Sequence, residues 1–231
     1  MLPIHDDNPT TLRPYVTVGL IALCLLVFLW QASLGPEAQR VLYGLGMIPA
    51  VLLQHRQLAP ELELVPPALT VLTSMFLHGG WAHLLGNMLY LWIFGNNVEE
   101  AMGHLRFLAF YLASGTVAAL AQALPAPEST VPMIGASGAV SGVLGAYLLL
   151  YPHARVLVVV PLGLYLHVVR LPAVLVLGLW FLIQLASSLA APAGGGGVAF
   201  RAHLGGFVAG MALLPLFKRR GVRLWQPPRR P

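Results

Sequence analysis

Apolar residues run almost unbroken through six stretches of this chain, at about 15–34, 77–98, 105–124, 134–151, 171–189 and 198–217. Each is close to the length that crosses a hydrocarbon core of roughly 30 Å as a helix. The pattern predicts an all-α polytopic membrane protein, a six-transmembrane-helix bundle over residues 15–217, with tails at 1–14 and 218–231. Gly35-Pro36 ends the first span. Residues 41–53 are apolar but too short to cross, and Arg40 and Arg56 flank them, which predicts an interfacial helix and a partly membrane-embedded first loop. Residues 58–67, with Pro60, Glu61, Glu63, Pro66 and Pro67, read as irregular and wet. Glu99 and Glu100 are expected to close the second span. The valine run after Tyr151-Pro152 is broken by Pro161, His167, Arg170 and Pro172 and reads as a surface segment; APAGGGG reads as a flexible link ahead of the sixth span. No solenoid-length repeat is evident, and no separate soluble domain has room to fold.

Composition agrees with this reading. Of the 231 residues 58% are hydrophobic and 9% charged, where a soluble domain carries about a quarter charged. The net charge of +5 does not point to nucleic acid, because 6 of the 13 basic residues lie after Phe217 in KRRGVRLWQPPRRP. A basic tail behind a span reads as a cytosolic topology signal, with anionic lipid contact second. Six spans put both termini on one side. Placing them in the cytoplasm leaves Arg13, Arg106, Arg155, Arg170 and the tail's six inside, against Arg40, Arg56 and Arg201 outside. The first fifteen residues lack a basic region and a small-residue cleavage site, so the first span is expected to be permanent. Cys24 stands alone and excludes an internal disulfide.

With this orientation spans two, four and six begin at the outer face, and polar side chains gather in their first turns. His83 and Asn87, four residues apart, share one side of a helix. Ser137 opens MIGASGAVSGVLGAYLLLY, where Gly138, Ser141, Gly142 and Gly145 strip one helix side so that another backbone can approach. His203 opens AHLGGFVAG, where Gly206 and Gly210 form a GxxxG face, making these two helices natural neighbours. Their approach would bring the Ser137 hydroxyl to the His203 imidazole. A serine needs such a base to attack, and histidine can return the proton to a leaving amine. The Ser137 amide at a helix start, the Asn87 amide and a His83 ring N–H could stabilise an oxyanion. No Asp or Glu lies in the outer halves of the spans, so the arrangement would be a Ser-His dyad. Short fourth and sixth spans imply a water-accessible depression above them, which hydrolysis requires.

The motifs HGGWAHLLGN, GASG and AHLGGFVAG, each on its own span and in this order, resemble the rhomboid intramembrane serine proteases, prokaryotic type, over most of residues 15–217. Gly95-x-x-x-Glu99 and the embedded first loop share the resemblance. It implies a rhomboid-like bundle in a bacterial or archaeal cytoplasmic membrane. It also implies Ser137 as nucleophile, His203 as base, and His83, Asn87 and Ser137 serving the oxyanion, supported by His78, Gly135, Gly138 and Gly206. The implied substrates are single-span or polytopic membrane proteins, cut near the outer end of a transmembrane helix beside a small residue. No metal or other cofactor and no nucleic acid is implied, and the oligomeric state stays open. Trp180, Phe181 and Gln184 resemble the lateral-gate segment and read equally as lipid-facing side chains.

The chain departs from the family pattern in lacking the adjacent Trp-Arg pair in the first loop. It also has Ser141 where many bacterial members carry a tyrosine that stacks on the catalytic histidine, which leaves open how the His203 ring is held. The alternative is a catalytically idle rhomboid-like protein that binds or escorts membrane proteins; loss of Ser137 or His203 would mark it, and both are present. A transporter would call for acidic residues at the midplane, and a metalloprotease for HExxH, which does not occur.

Overall fold

In a computed structural model, residues 2–162, 165–190 and 198–227 are described. Nine α-helices are described in chain order: α1 (Tyr15–Ser33), α2 (Ala38–Leu45), α3 (Pro49–Gln54), α4 (Pro67–Thr73), α5 (Trp81–Met102), α6 (His104–Ala123), α7 (Ser137–Leu150), α8 (Ala173–Ala190) and α9 (Phe200–Phe217). Three strands accompany them: β1 (Leu2–Asp6), β2 (Arg155–Leu162) and β3 (Tyr165–Pro172). The link APAGGGG lies outside the described residues, as do Arg229 and Arg230 of the basic tail. By length and apolarity α1, α6, α8 and α9 can each cross a membrane. α7 has 14 residues, fewer than the ~20 that a hydrocarbon core needs. α5 has 22, but its last turns carry Asn96, Asn97, Glu99 and Glu100.

α7 lies at the centre, and nearly all of its residues are buried. Its glycines decide which neighbours can sit there. A methyl group on Gly206 would fall on the Gly138 carbonyl, one on Gly210 on the Gly142 carbonyl, and one on Gly145 on the Phe207 carbonyl. α7 and α9 therefore touch backbone to backbone, with the glycine rows of both helices facing each other. On its other side a methyl on Gly138 would meet Ala118 Cβ of α6 at 2.6 Å. The larger core groups, among them Phe94, Phe107, Phe110, Tyr111, Tyr147 and Tyr151, fill the space towards α5 and α6.

Glu99 and Glu100 do not close α5. The helix continues to Met102, and both carboxylates are buried. Glu99 accepts hydrogen bonds from the Val16 N–H at 2.9 Å, the Thr17 N–H at 2.8 Å, the Thr17 hydroxyl at 2.7 Å and His104 Nδ1 at 2.6 Å. The first amides of α1 have no intrahelical partner, and a carboxylate there also complements the helix dipole. Pro14, which precedes α1, offers no capping side chain, so Glu99 takes that role from across the bundle. Glu100 accepts from the Thr11 N–H at 3.1 Å and hydroxyl at 2.7 Å, while its carbonyl receives the Arg219 guanidinium. The residue pattern had hidden this use, because a carboxylate at the end of an apolar run reads first as a boundary.

The segment between α7 and α8, read as a surface segment, is a hairpin, and residues 165–170 of its second strand are exposed. β2 and β3 pair from Arg155↔Pro172 to Leu162↔Tyr165, and β1 joins the other side of β2 antiparallel. The valine run alternates as a strand should, sending Val156 and Val158 into the core. The N-terminal residues are correspondingly a strand, which their mixed polarity had not shown. Asp6 at its end is buried and accepts the Tyr147 hydroxyl at 2.6 Å. Other element boundaries shift modestly. α5 starts at Trp81 after Gly79-Gly80, α7 at Ser137, and α8 at Ala173 once β3 has ended. The 41–53 stretch forms two short helices broken at Gly46, with Thr73 of α4 donating to the Leu45 carbonyl at 2.6 Å.

Gly210→Leu is expected to destabilise the bundle by about 1–3 kcal/mol or more, since its side chain must displace the α7 backbone. Gly19→Ala on α1, with no atom within 4 Å of the new methyl, is expected to be neutral or slightly stabilising. Thermal unfolding in detergent reads both. Burial pushes the Asp6 carboxyl up from 3.8 to about 6, against the Tyr147 hydrogen bond, which works the other way. A carboxyl raised on folding stabilises fully below its unfolded value, and the gain is lost as pH rises through the folded value. Asp6 is thus expected to lower stability between about pH 4 and pH 7. Asp6→Asn should flatten that slope in unfolding curves taken across the same range.

Candidate active site

Three helix beginnings converge on one cavity of about 770 Å³. His83 and Asn87 come from the first two turns of α5, Ser137 is the first residue of α7, and His203 lies in the first turn of α9. All four line the cavity, together with Tyr90, Ser141 and Trp180. The close α7–α9 contact puts the serine and the histidine on adjacent walls. Among the described residues no hydrogen bond joins the Ser137 hydroxyl to the His203 ring, whose Nδ1 faces Gln184 instead.

Ser137 owes its position to the turn before it. Gly135 has φ +119°, a conformation that side-chain-bearing residues rarely adopt, and its N–H donates to the Ser74 carbonyl at 2.8 Å. A methyl at Gly135 would also lie 2.7 Å from His83 Nε2, so this position admits no larger residue. The imidazole edge of His83 and the Asn87 amide, whose Nδ2 is 3.8 Å from the same point, therefore face the chain two residues ahead of Ser137. The amide of Ser137, at the first position of α7, is one of the N–H groups that a helix leaves without an internal partner.

The protonation of the donors follows from their contacts. Gly79 N–H donates to His83 Nδ1 at 3.4 Å, which leaves the hydrogen of a neutral ring on Nε2, the edge towards Gly135. Asn87 Nδ2 is buried and without a hydrogen-bond partner among the described residues. An unpartnered buried amide donor is costly, and it is the kind of group that an incoming oxyanion would satisfy. His78 sits just behind, fully buried, its ring 5.2 Å from that of His83. It is held at its backbone by Gln31 of α1, whose amide donates to the His78 carbonyl at 2.8 Å. Gly138 and Gly206 bring no group to the cavity. They serve the helix contact.

His203 is held from α8. Its Nδ1 lies 2.6 Å from Gln184 Oε1, and Trp180 lies against the ring with centroids 5.9 Å apart. The Ser141 hydroxyl is turned away, donating to the Ser137 carbonyl at 2.6 Å, so it does not take the place of a ring stacked from α7. Two groups in this neighbourhood were not singled out by residue pattern, Gln31 and Gln122. The latter accepts the Ala202 N–H at the start of α9 at 3.2 Å. Both are uncharged polar residues near the cavity ends of apolar helices, and that location was the available signal.

Residues 67–220 match the family model described as the Rhomboid domain. The chain is 31% identical over 180 residues to Rhomboid protein 1, mitochondrial, of Saccharomyces cerevisiae, covering 73% of this chain and 48% of that protein. It is 46% identical over 78 residues to the Rhomboid protease GluP of Bacillus subtilis, covering 34% of this chain and 15% of that one. Rhomboid-related protein 2 of Mus musculus is 28% identical over 222 residues, covering 90% and 65%. The chain thus spans less than two thirds of the length of each of these relatives. The domain match runs from α4 to the end of α9 and takes in all four helix-start side chains of the cavity, and the chain belongs to the rhomboid family.

Proposed function

We propose that this chain is an intramembrane serine endopeptidase that hydrolyses peptide bonds in or near the transmembrane helices of membrane-protein substrates. The observation that carries the reading is the single cavity lined by Ser137, His203, His83 and Asn87 from three separate helices. In this reading residues 15–217 form a six-helix membrane domain, both termini lie in the cytosol, and the cavity opens at the outer face. α5 and α7 then cross as members of the bundle, their polar or short ends being covered by the loops around α2–α4 and by the three-stranded sheet.

The chemistry needs one proton carrier and one anion site. His203 Nε2 takes the Ser137 proton as the hydroxyl oxygen attacks the scissile carbonyl, and returns it to the leaving amine. The negative charge on the tetrahedral oxygen is met by the Ser137 N–H, the Asn87 amide and the His83 Nε2–H. Water, activated by the same histidine, then releases the acyl group. A peptide bond inside a helix has its carbonyl engaged, so the substrate must unwind before it can reach Ser137. Substrates with a small residue at the cut and Gly or Pro nearby meet that requirement at least cost.

Wild type and Ser137→Ala, returned to liposomes with a single-span substrate of that design, test the reading. Cleavage by wild type, read by mass spectrometry without added metal or ATP, and none by Ser137→Ala or His203→Ala is expected. A folded wild type that cleaves none of several such substrates would instead favour the catalytically idle, binding relative. Asn87→Ala should keep substrate binding and lower kcat by about 100-fold, the loss usual for one oxyanion donor.

A further inference from the structure

We infer that Gln184 of α8 is the positioning residue of the dyad. It sets the His203 tautomer and ring orientation, in place of an acidic residue and of a ring stacked from α7. The inference rests on the serine protease reading of the cavity. An amide oxygen can only accept, so a contact of 2.6 Å between Gln184 Oε1 and His203 Nδ1 requires the hydrogen of the neutral imidazole to sit on Nδ1. Nε2 is then left with its lone pair, the form that can take a proton from Ser137. The opposite tautomer would present an N–H to the serine and could not act as a base. Gln184 can go on accepting from Nδ1–H once the ring is doubly protonated, so the same contact serves both halves of the proton transfer.

Gln184 is not held independently of α8. The buried residues of that helix, Ala173, Val176 and Leu177, all lie in its first turns, next to the sheet. Farther along, its inward contacts include Trp180 and Phe181 on Phe207 of α9, with centroids 5.9 and 4.9 Å apart, and Trp180 and Gln184 on His203. Any displacement of this half of α8 from α9 removes the hydrogen bond and the indole from the histidine together. The ring of His203 is therefore held from α8 only while α8 is docked on α9.

Gln184→Met keeps length and apolar packing and removes the acceptor, whereas Gln184→Glu keeps an oxygen at the same reach. In liposomes Gln184→Met is expected to lower kcat tenfold or more with KM little changed, and Gln184→Glu to stay within a few-fold of wild type. Nitrogen NMR of histidine-labelled protein in detergent gives a readout that does not depend on turnover. The neutral His203 ring should carry its hydrogen on Nδ1 in wild type and lose that preference in Gln184→Met. Full kcat in Gln184→Met, an equal loss in Gln184→Glu, or a wild-type ring protonated on Nε2 would overturn the inference. A wild type that cleaves nothing but keeps the Nδ1–H in a Gln184-dependent way would remove the protease reading and leave the positioning role standing.

Discussion

Contact between the backbones of α7 and α9 is the constraint on which the rest of the molecule depends. In a bilayer helices gain little from burying apolar side chains against one another, because lipid is equally apolar; close packing has to supply the attraction. Glycines 138, 142 and 145 on one helix and 206 and 210 on the other remove the side chains that would hold the axes apart. Ser137 and His203 are each within a few residues of this glycine contact and at the same end of it. The helix contact brings them to one cavity, and the turn at Gly135 sets where α7 begins.

Polar groups also gather at the two ends of the bundle. At the far end from the cavity the carboxylates have partners. Glu99 takes four donors, Glu100 ties residues 11 and 219 to α5, and Asp6 meets Tyr147. At the cavity end Asn87 Nδ2 and His78 Nε2 lack partners among the described residues, as Asn8 and Asn97 Oδ1 do at the other end. An unsatisfied buried donor weakens a fold by about 1–3 kcal/mol, and of these residues Asn87 is the one that lines the cavity.

Much of this was legible in the residues. The helical periodicity, the glycine faces and the coincidence of polar first turns placed His83, Asn87, Ser137 and His203 on helix starts that do line one cavity. What was not legible has a common cause. Glu99 and Glu100 look like boundary markers because sequence shows that they are charged and not that α1 lacks its own cap. The β2 valines look like an interrupted apolar run, and only the pairing with β3 and with residues 2–6 makes them a strand. Gln184 could be seen as one polar residue in the gate segment, but whether it faced lipid, a substrate or a histidine depended on how α8 rotates against α9, which no local pattern sets.

The choice of glutamine on α8 has a structural logic once α7 is considered. Position 141 lies one turn beyond Ser137, in a helix packed against α5, α6 and α9, and its side chain is a serine bonded back to its own backbone. A histidine braced from α7 would inherit the rigidity of the most buried helix. One braced from α8 inherits the freedom of a helix whose buried residues all lie at one end. In the proposed reading the nucleophile and the anion site are built on the most buried part of the bundle, and the base is braced from a helix whose buried residues lie at one end. On that reading any loosening of α8 from α9 acts directly on the base, since His203 and Gln184 meet across that contact.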